Sequence, residues 1–154
     1  MSTSSATRSL RVMPMGDSIT AGDRGNNGRG EQQNRIGEAT IDRLKAFLER
    51  IDRLAGQAAL PLKVVLGTIP RFDQSWNAGR LKDPISPVMQ QEATEVNDWI
   101  RQRSSRLPLR SITITSVDQR AAVGSSLIDG LHPDADGYRR MADTWWEGIQ
   151  KALV

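Results

Sequence analysis

Ser18 and His132 are the residues of this chain whose types and settings could do chemistry together. Ser18 lies in Met15-Gly16-Asp17-Ser18-Ile19-Thr20-Ala21-Gly22, a glycine-flanked turn that follows a short apolar run. His132, the single histidine of the chain, lies in Asp129-Gly130-Leu131-His132-Pro133-Asp134. A serine on a tight turn after a strand suits a nucleophile. A histidine with a carboxylate three residues upstream suits a base with its orienting group. The chemistry this pattern points to is acyl-group hydrolysis.

These residues are far apart in sequence, so a fold must bring them together. The predicted elements alternate. Residues 10–14 form a short buried strand ending in a turn, and residues 21–30, rich in glycine and asparagine, form a loop. In 37–54, Ile41, Leu44, Leu48, Ile51 and Leu54 recur at spacings of three and four, which predicts a helix with one apolar face ended by Gly56. Residues 62–69 form a second strand, buried on both faces because the run barely alternates. Residues 71–87 form a loop, followed by a helix from 88 to about 104 with Val88, Glu92, Val96, Trp99 and Ile100 on one side. Residues 112–117 form a third strand and 121–133 mostly a loop. Asp134 caps a final helix, Asp136 favours its positive first turn, and Tyr138, Met141, Trp145, Ile149 and Leu153 form its buried stripe.

This order predicts an α/β fold with a mainly parallel sheet, helices on its faces and right-handed crossovers. In such a sheet the ligand site lies beyond the carboxyl ends of the strands. Ser18, the 71–77 loop and the 129–132 segment all follow strands, so they gather at that edge. Trp76 sits in the loop facing this edge and is a candidate lining residue.

Composition limits the alternatives. The chain has 154 residues, 38% of them hydrophobic and 25% charged, which suits one globular domain with a real core. No apolar run approaches a membrane span, and residues 1–9 are expected to form a disordered tail without a signal-peptide core. Compartment is left open, since a secreted protein lacking its signal would look the same. There are no cysteines, so disulfides and thiolate metal sites are excluded. The net charge of +3 is scattered along helices without aromatic interleaving, which argues against a nucleic-acid interface. Gly28-Arg29-Gly30 lacks the rest of a phosphate-binding loop, so nucleotide binding is set aside.

Gly-Asp-Ser-Ile-Thr at 16–20 with Asp-Gly-Leu-His-Pro at 129–133 resembles the SGNH, or GDSL-type, hydrolase family. Residues 12–22, the helix 37–54, the strand ending Ile69-Pro70 and the segment 129–141 are similar, in order, to its carbohydrate-esterase-like branch. The resemblance implies a flavodoxin-like three-layer α/β/α sandwich and a serine esterase acting on short acyl, chiefly acetyl, esters, often on carbohydrate. It implies Ser18 as nucleophile, His132 as general base and later acid, and Asp129 as the residue orienting the imidazole. No metal or organic cofactor is implied.

The chain departs from the family in one region. The family's oxyanion hole uses the serine amide, a glycine amide from a second block and the asparagine of a Gly-x-Asn-Asp block. The latter two blocks are absent, as though an internal segment were missing around 30–35. Losing one such donor costs roughly 3–4 kcal/mol of transition-state stabilisation. Asp17, Asn34 and Trp76 are the further candidates for oxyanion or substrate contacts, with Asn26 and Asn27 as other amide donors. The same loss reduces the number of strands and predicts exposed sheet edges, hence self-association by edge pairing or exchange of elements. A second reading follows: a shortened, catalytically weak or inactive relative with a binding or assembly role.

Overall fold

The apolar spacing of the first predicted helix is realised over Ile36–Gln57 (α1). Leu48 is fully buried, and Ile41, Leu44 and Ile51 pack beside it against the core. The computed structural model describes residues 36–73 and 87–154. The predicted tail 1–9, strand 10–14 and loop 21–30 therefore lie outside the described residues, as does most of the 71–87 loop.

The end of α1 differs from the expectation. Gly56 remains helical, and the stop comes at Ala59, whose φ of 50° places it in the left-handed region. The amides of Ala59 and Leu60 turn back to the carbonyls of Gly56 and Ala55, closing the helix with paired bonds that satisfy its last carbonyls. Ala55 takes the buried position, leaving Leu54 about half exposed.

After this turn the chain enters β1 (Leu62–Gly67), which pairs in parallel with β2 (Ile112–Val117) from Leu62↔Ile112 to Gly67↔Val117. Parallel strands need a crossover, and α2 (Pro87–Gln102) supplies it. Proline at the first helical position suits the start of α2, where no internal partner exists for an amide. A 3-10 turn (Ser104–Arg106) follows, with the buried Ser104 hydroxyl donating to the Ile100 carbonyl at 2.6 Å.

The sheet is covered on both sides. Leu62, Val64 and Leu66 of β1 and Ile112 and Ile114 of β2 share one face, where they meet Leu48, Val96, Trp99 and Ile100 of α1 and α2. Val65, Gly67 and Val117 occupy the opposite face, against α4 (Ala135–Leu153). Among the described residues the fold is thus α/β, a parallel two-stranded sheet between two helical layers.

The remaining sequence expectations fare differently. The 121–133 stretch is mostly loop as expected, its first three residues belonging to a short helix (α3, Gln119–Val123) capped by Asp118. Two residues of the expected buried stripe of α4, Tyr138 and Leu153, are more than half exposed, and Met141, Trp145 and Ile149 are half-buried. The buried residues are Gly137, Gly148 and Ala152. The helix lies so close to the sheet that only small residues fit beneath its axis, and the large side chains flank the contact. A Cβ on Gly148 would overlap Val117 Cγ1 and stand 2.9 Å from Val65 Cγ1. On α2 the apolar face also contains a polar residue, Asn97, which is fully buried, whereas Glu92 is half-buried.

β2 begins on a carboxylate. Asp52 Oδ1 of α1 accepts from the amides of Arg110, Ser111 and Ile112 at 2.9, 2.6 and 3.0 Å. These bonds, that of Ser111 foremost, hold the Asp52 carboxyl below its usual range.

Gly148→Ala is expected to force α4 off the sheet and lower stability by about 1–3 kcal/mol, the range for overpacking a filled core. Urea denaturation of the two proteins measures it; an unchanged midpoint would mean that α4 packs less closely than described.

Candidate active site

Asp129 builds the loop that carries His132. Its Oδ1 accepts from the backbone amides of Leu131 at 3.0 Å and His132 at 2.8 Å, a local turn closed by a side chain. Its Oδ2 meets His132 Nδ1 at 2.7 Å. The three-residue spacing works because Gly130 adopts φ 83°, a conformation that favours glycine and turns the chain back on itself. One carboxylate thus shapes the backbone and grips the ring.

The hydrogen-bond chemistry fixes the direction of that grip. The backbone amide of His132, then its ring, then the Leu131 amide hold the Asp129 carboxyl well below the usual carboxylate range. An ionised carboxylate only accepts, so Nδ1 carries the proton and donates. In the neutral imidazole, Nε2 is then the basic nitrogen. The side chain of His132 is 57% exposed, and its Nδ1 is the ring nitrogen that Asp129 occupies.

The surrounding chain anchors this loop at several points. Ile128 N donates to the His132 carbonyl at 2.8 Å, Asp134 N donates to the Ser126 carbonyl at 3.0 Å, and Leu127 and Pro133 form an antiparallel bridge. Arg140 of α4 donates to the Val123 carbonyl and to the Ser126 hydroxyl. Asp134 caps α4 as expected, accepting from Gly137 N at 2.8 Å. His132 therefore sits immediately before the rigid start of a helix.

A second connection comes from β1. Asp73 N donates to the Gly130 carbonyl at 2.6 Å, which joins the loop after β1 to the histidine loop. That segment is directed by Asn97, whose Oδ1 accepts from Ile69 N at 2.7 Å and whose Nδ2 donates to Ile69 O at 3.0 Å. The neighbouring Thr68 is also buried; its hydroxyl donates to Asp118 Oδ1 and accepts from Arg120 N, each at 3.0 Å. Asp118 is gripped further by Arg101 Nε at 2.8 Å and Nη2 at 3.1 Å. Burial alone would raise the Asp118 carboxyl, but bonds from Arg101, the Ala121 amide and Thr68 outweigh it and hold the group below its usual range.

The structure brings Asp129 and His132 together in the geometry expected of a base and its orienting acid. Ser18, Asp17, Asn34 and Trp76, with Asn26 and Asn27, lie outside the described residues. Sequence reasoning missed Asn97, Thr68, Asp118 and Arg101. The available signal was Asn97 itself, an amide in register with Ala93, Val96 and Ile100 on an apolar helix face.

Among the described residues no cluster of three or more His, Cys, Asp or Glu could hold a metal ion, and no helix is long and apolar enough to cross a membrane. The chain matches no protein-family model, no curated protein and no solved structure.

Asn97→Ala leaves both the amide and the carbonyl of Ile69 without their partner and is expected to lower stability by about 2–4 kcal/mol. Chemical denaturation checks this, and a loss under about 1 kcal/mol would show that water replaces the amide. A second expectation concerns pH. The depressed Asp129 carboxyl stabilises the folded loop fully above the unfolded-state value near ~3.9, and this contribution is lost as pH falls through the lower folded value. Carboxyl carbon-13 NMR should give an Asp129 midpoint below ~3.9; an ordinary midpoint would mean that the ring contact is not kept in solution.

Proposed function

We propose that the protein is a serine esterase of SGNH type that hydrolyses short acyl esters, chiefly acetyl esters and among them those of carbohydrates. The observation that carries this reading is the Asp129–His132 pair, with Nδ1 bound to an ionised carboxylate at 2.7 Å and Nε2 left as the basic nitrogen of a side chain more than half exposed. The Gly-Asp-Ser-Ile-Thr segment at 16–20 supports it by supplying the nucleophile that such a base requires.

In the proposed mechanism, Ser18 Oγ attacks the ester carbonyl as its proton passes to His132 Nε2. The resulting imidazolium is stabilised by Asp129, and the tetrahedral intermediate collapses as Nε2 gives the proton to the departing alcohol. Water then enters, loses a proton to Nε2 and attacks the acyl group on Ser18. The carboxylic acid leaves, and the proton returns to the serine. No step needs a metal or organic cofactor.

A chromogenic acetate ester and a fluorophosphonate probe test this proposal together. Wild-type protein should hydrolyse the first and be labelled by the second. Ser18→Ala should abolish labelling and reduce turnover at least about a thousandfold, as should His132→Ala, while Asp129→Asn should cost about a hundredfold or more through the wrong tautomer. Acetate hydrolysis that survives Ser18→Ala unchanged would overturn the proposal. A folded chain that neither turns over ester nor takes the probe would leave a binding or assembly role as the better reading.

A further inference from the structure

Beside the histidine loop lies a pocket of about 380 Å³ whose charged lining residues, among the described residues, are Arg71, Arg101 and Arg120. Phe72, Gln90 and Gly124 complete much of its wall, and among the described residues no carboxylate lines it. Arg71 and Phe72 stand directly before Asp73, whose amide donates to the Gly130 carbonyl at 2.6 Å. The pocket wall and the histidine loop are therefore joined by one hydrogen bond, two residues from His132.

Most of this positive charge is not absorbed by the neighbouring acids. Asp118 spends both oxygens on Arg101, and Oδ1 also takes the Thr68 hydroxyl and the Ala121 amide. Asp98 accepts from Arg101 Nη1 at 3.0 Å. These bonds hold the Arg101 guanidinium in one orientation with two of its five N–H groups still available. Arg71 and Arg120 form no ion pair with any described residue. Arg120 is placed by its backbone, since its amide donates to Thr68 Oγ1 at 3.0 Å, so its side chain is not needed to hold α3. Gln90 Nε2 adds a further donor to the pocket, loosely held by the Phe72 carbonyl at 3.4 Å.

Asp118 and Asp98 take three of the Arg101 donors, whereas Arg71 and Arg120 line the same pocket with no ion-pair partner among the described residues. Such donors match the needs of an oxyanion, and guanidinium groups present them in a planar fork. We infer that this pocket binds an oxyanion group, a carboxylate or a phosphate, carried on the alcohol portion of the ester substrate. The substrate half of this inference rests on the esterase reading; the anion site does not. The site would select charged esters over neutral ones by lowering KM while leaving the acyl chemistry at His132 untouched.

Two measurements on the full chain test it. In the first, inorganic phosphate and succinate are titrated separately at constant ionic strength, followed by isothermal calorimetry, with sodium chloride as the control. Saturable binding is expected, weakened about tenfold or more in the combined Arg71→Ala and Arg120→Ala variant, and the tighter of the two anions identifies the group recognised. The Arg71→Lys and Arg120→Lys variant keeps the charge and loses the fork, and should bind between the two. Binding that does not saturate, that chloride reproduces, or that the alanine variant retains would overturn the site. In the second, 4-acetoxybenzoate and phenyl acetate are compared as substrates. KM for the anionic ester should rise about tenfold in the alanine variant, with kcat and the neutral ester unchanged. Equal behaviour of both esters in the variant overturns the assignment to substrate. Anion binding without turnover of either ester overturns the esterase reading alone.

Discussion

The carboxyl end of the sheet depends on one buried amide. Asn97 projects from α2 into the core and takes both backbone groups of Ile69, two residues beyond the last β1–β2 pair, Gly67↔Val117. A strand that ends inside a protein leaves an amide and a carbonyl that water cannot reach, and each such group is costly without a partner. By satisfying both, Asn97 lets the half-buried chain leave the sheet with its backbone groups paired. The next residues then reach the histidine loop through Asp73 and Gly130. The buried Thr68, with Asp118 and Arg101, secures the same exit from the β2 side.

The histidine loop solves a different problem. It is short and largely exposed, so little apolar burial is available to hold it. Its order comes from hydrogen bonds over a few residues, with Asp129 acting on two backbone amides and on the imidazole at once. The cap at Asp134 and the bonds from Arg140 tie its far end to α4. The His132 ring is in this way held in place by hydrogen bonds while its side chain stays more than half exposed. The arginine-lined pocket on the other side of the Asp73–Gly130 bond draws on the same scaffold, because Arg101 is oriented by the carboxylate that caps α3.

Much of this could be read from the chain alone. The spacing of Ile41, Leu44, Leu48 and Ile51 predicted α1, and the β-branched run at 112–117 predicted β2 to the residue. The three-residue step from Asp129 to His132, spanning a glycine, predicted the contact between the carboxylate and the ring. These features were legible because they are local: a helix period, a β-branched run and a turn are each fixed by residues a few positions apart. The apolar stripe of α4 was misjudged because periodicity marks which face turns inward but not how near the sheet lies. Gly148 and Gly67 set that distance, and the large residues were displaced to the flanks.

By itself, then, the sequence determined the alternating α/β order, the helix faces and the local geometry that pairs Asp129 with His132. Only the tertiary structure decided that Asn97 closes the end of β1, that Asp52 opens β2, and that three arginines from separate segments line one pocket. The physical reason is the range of the interactions. Asn97 and Ile69 are 28 residues apart and Asp52 and Ile112 are 60 apart, so no periodicity links them. Their partners are chosen only when the packed layers bring a polar side chain to backbone groups that have no other way to be satisfied.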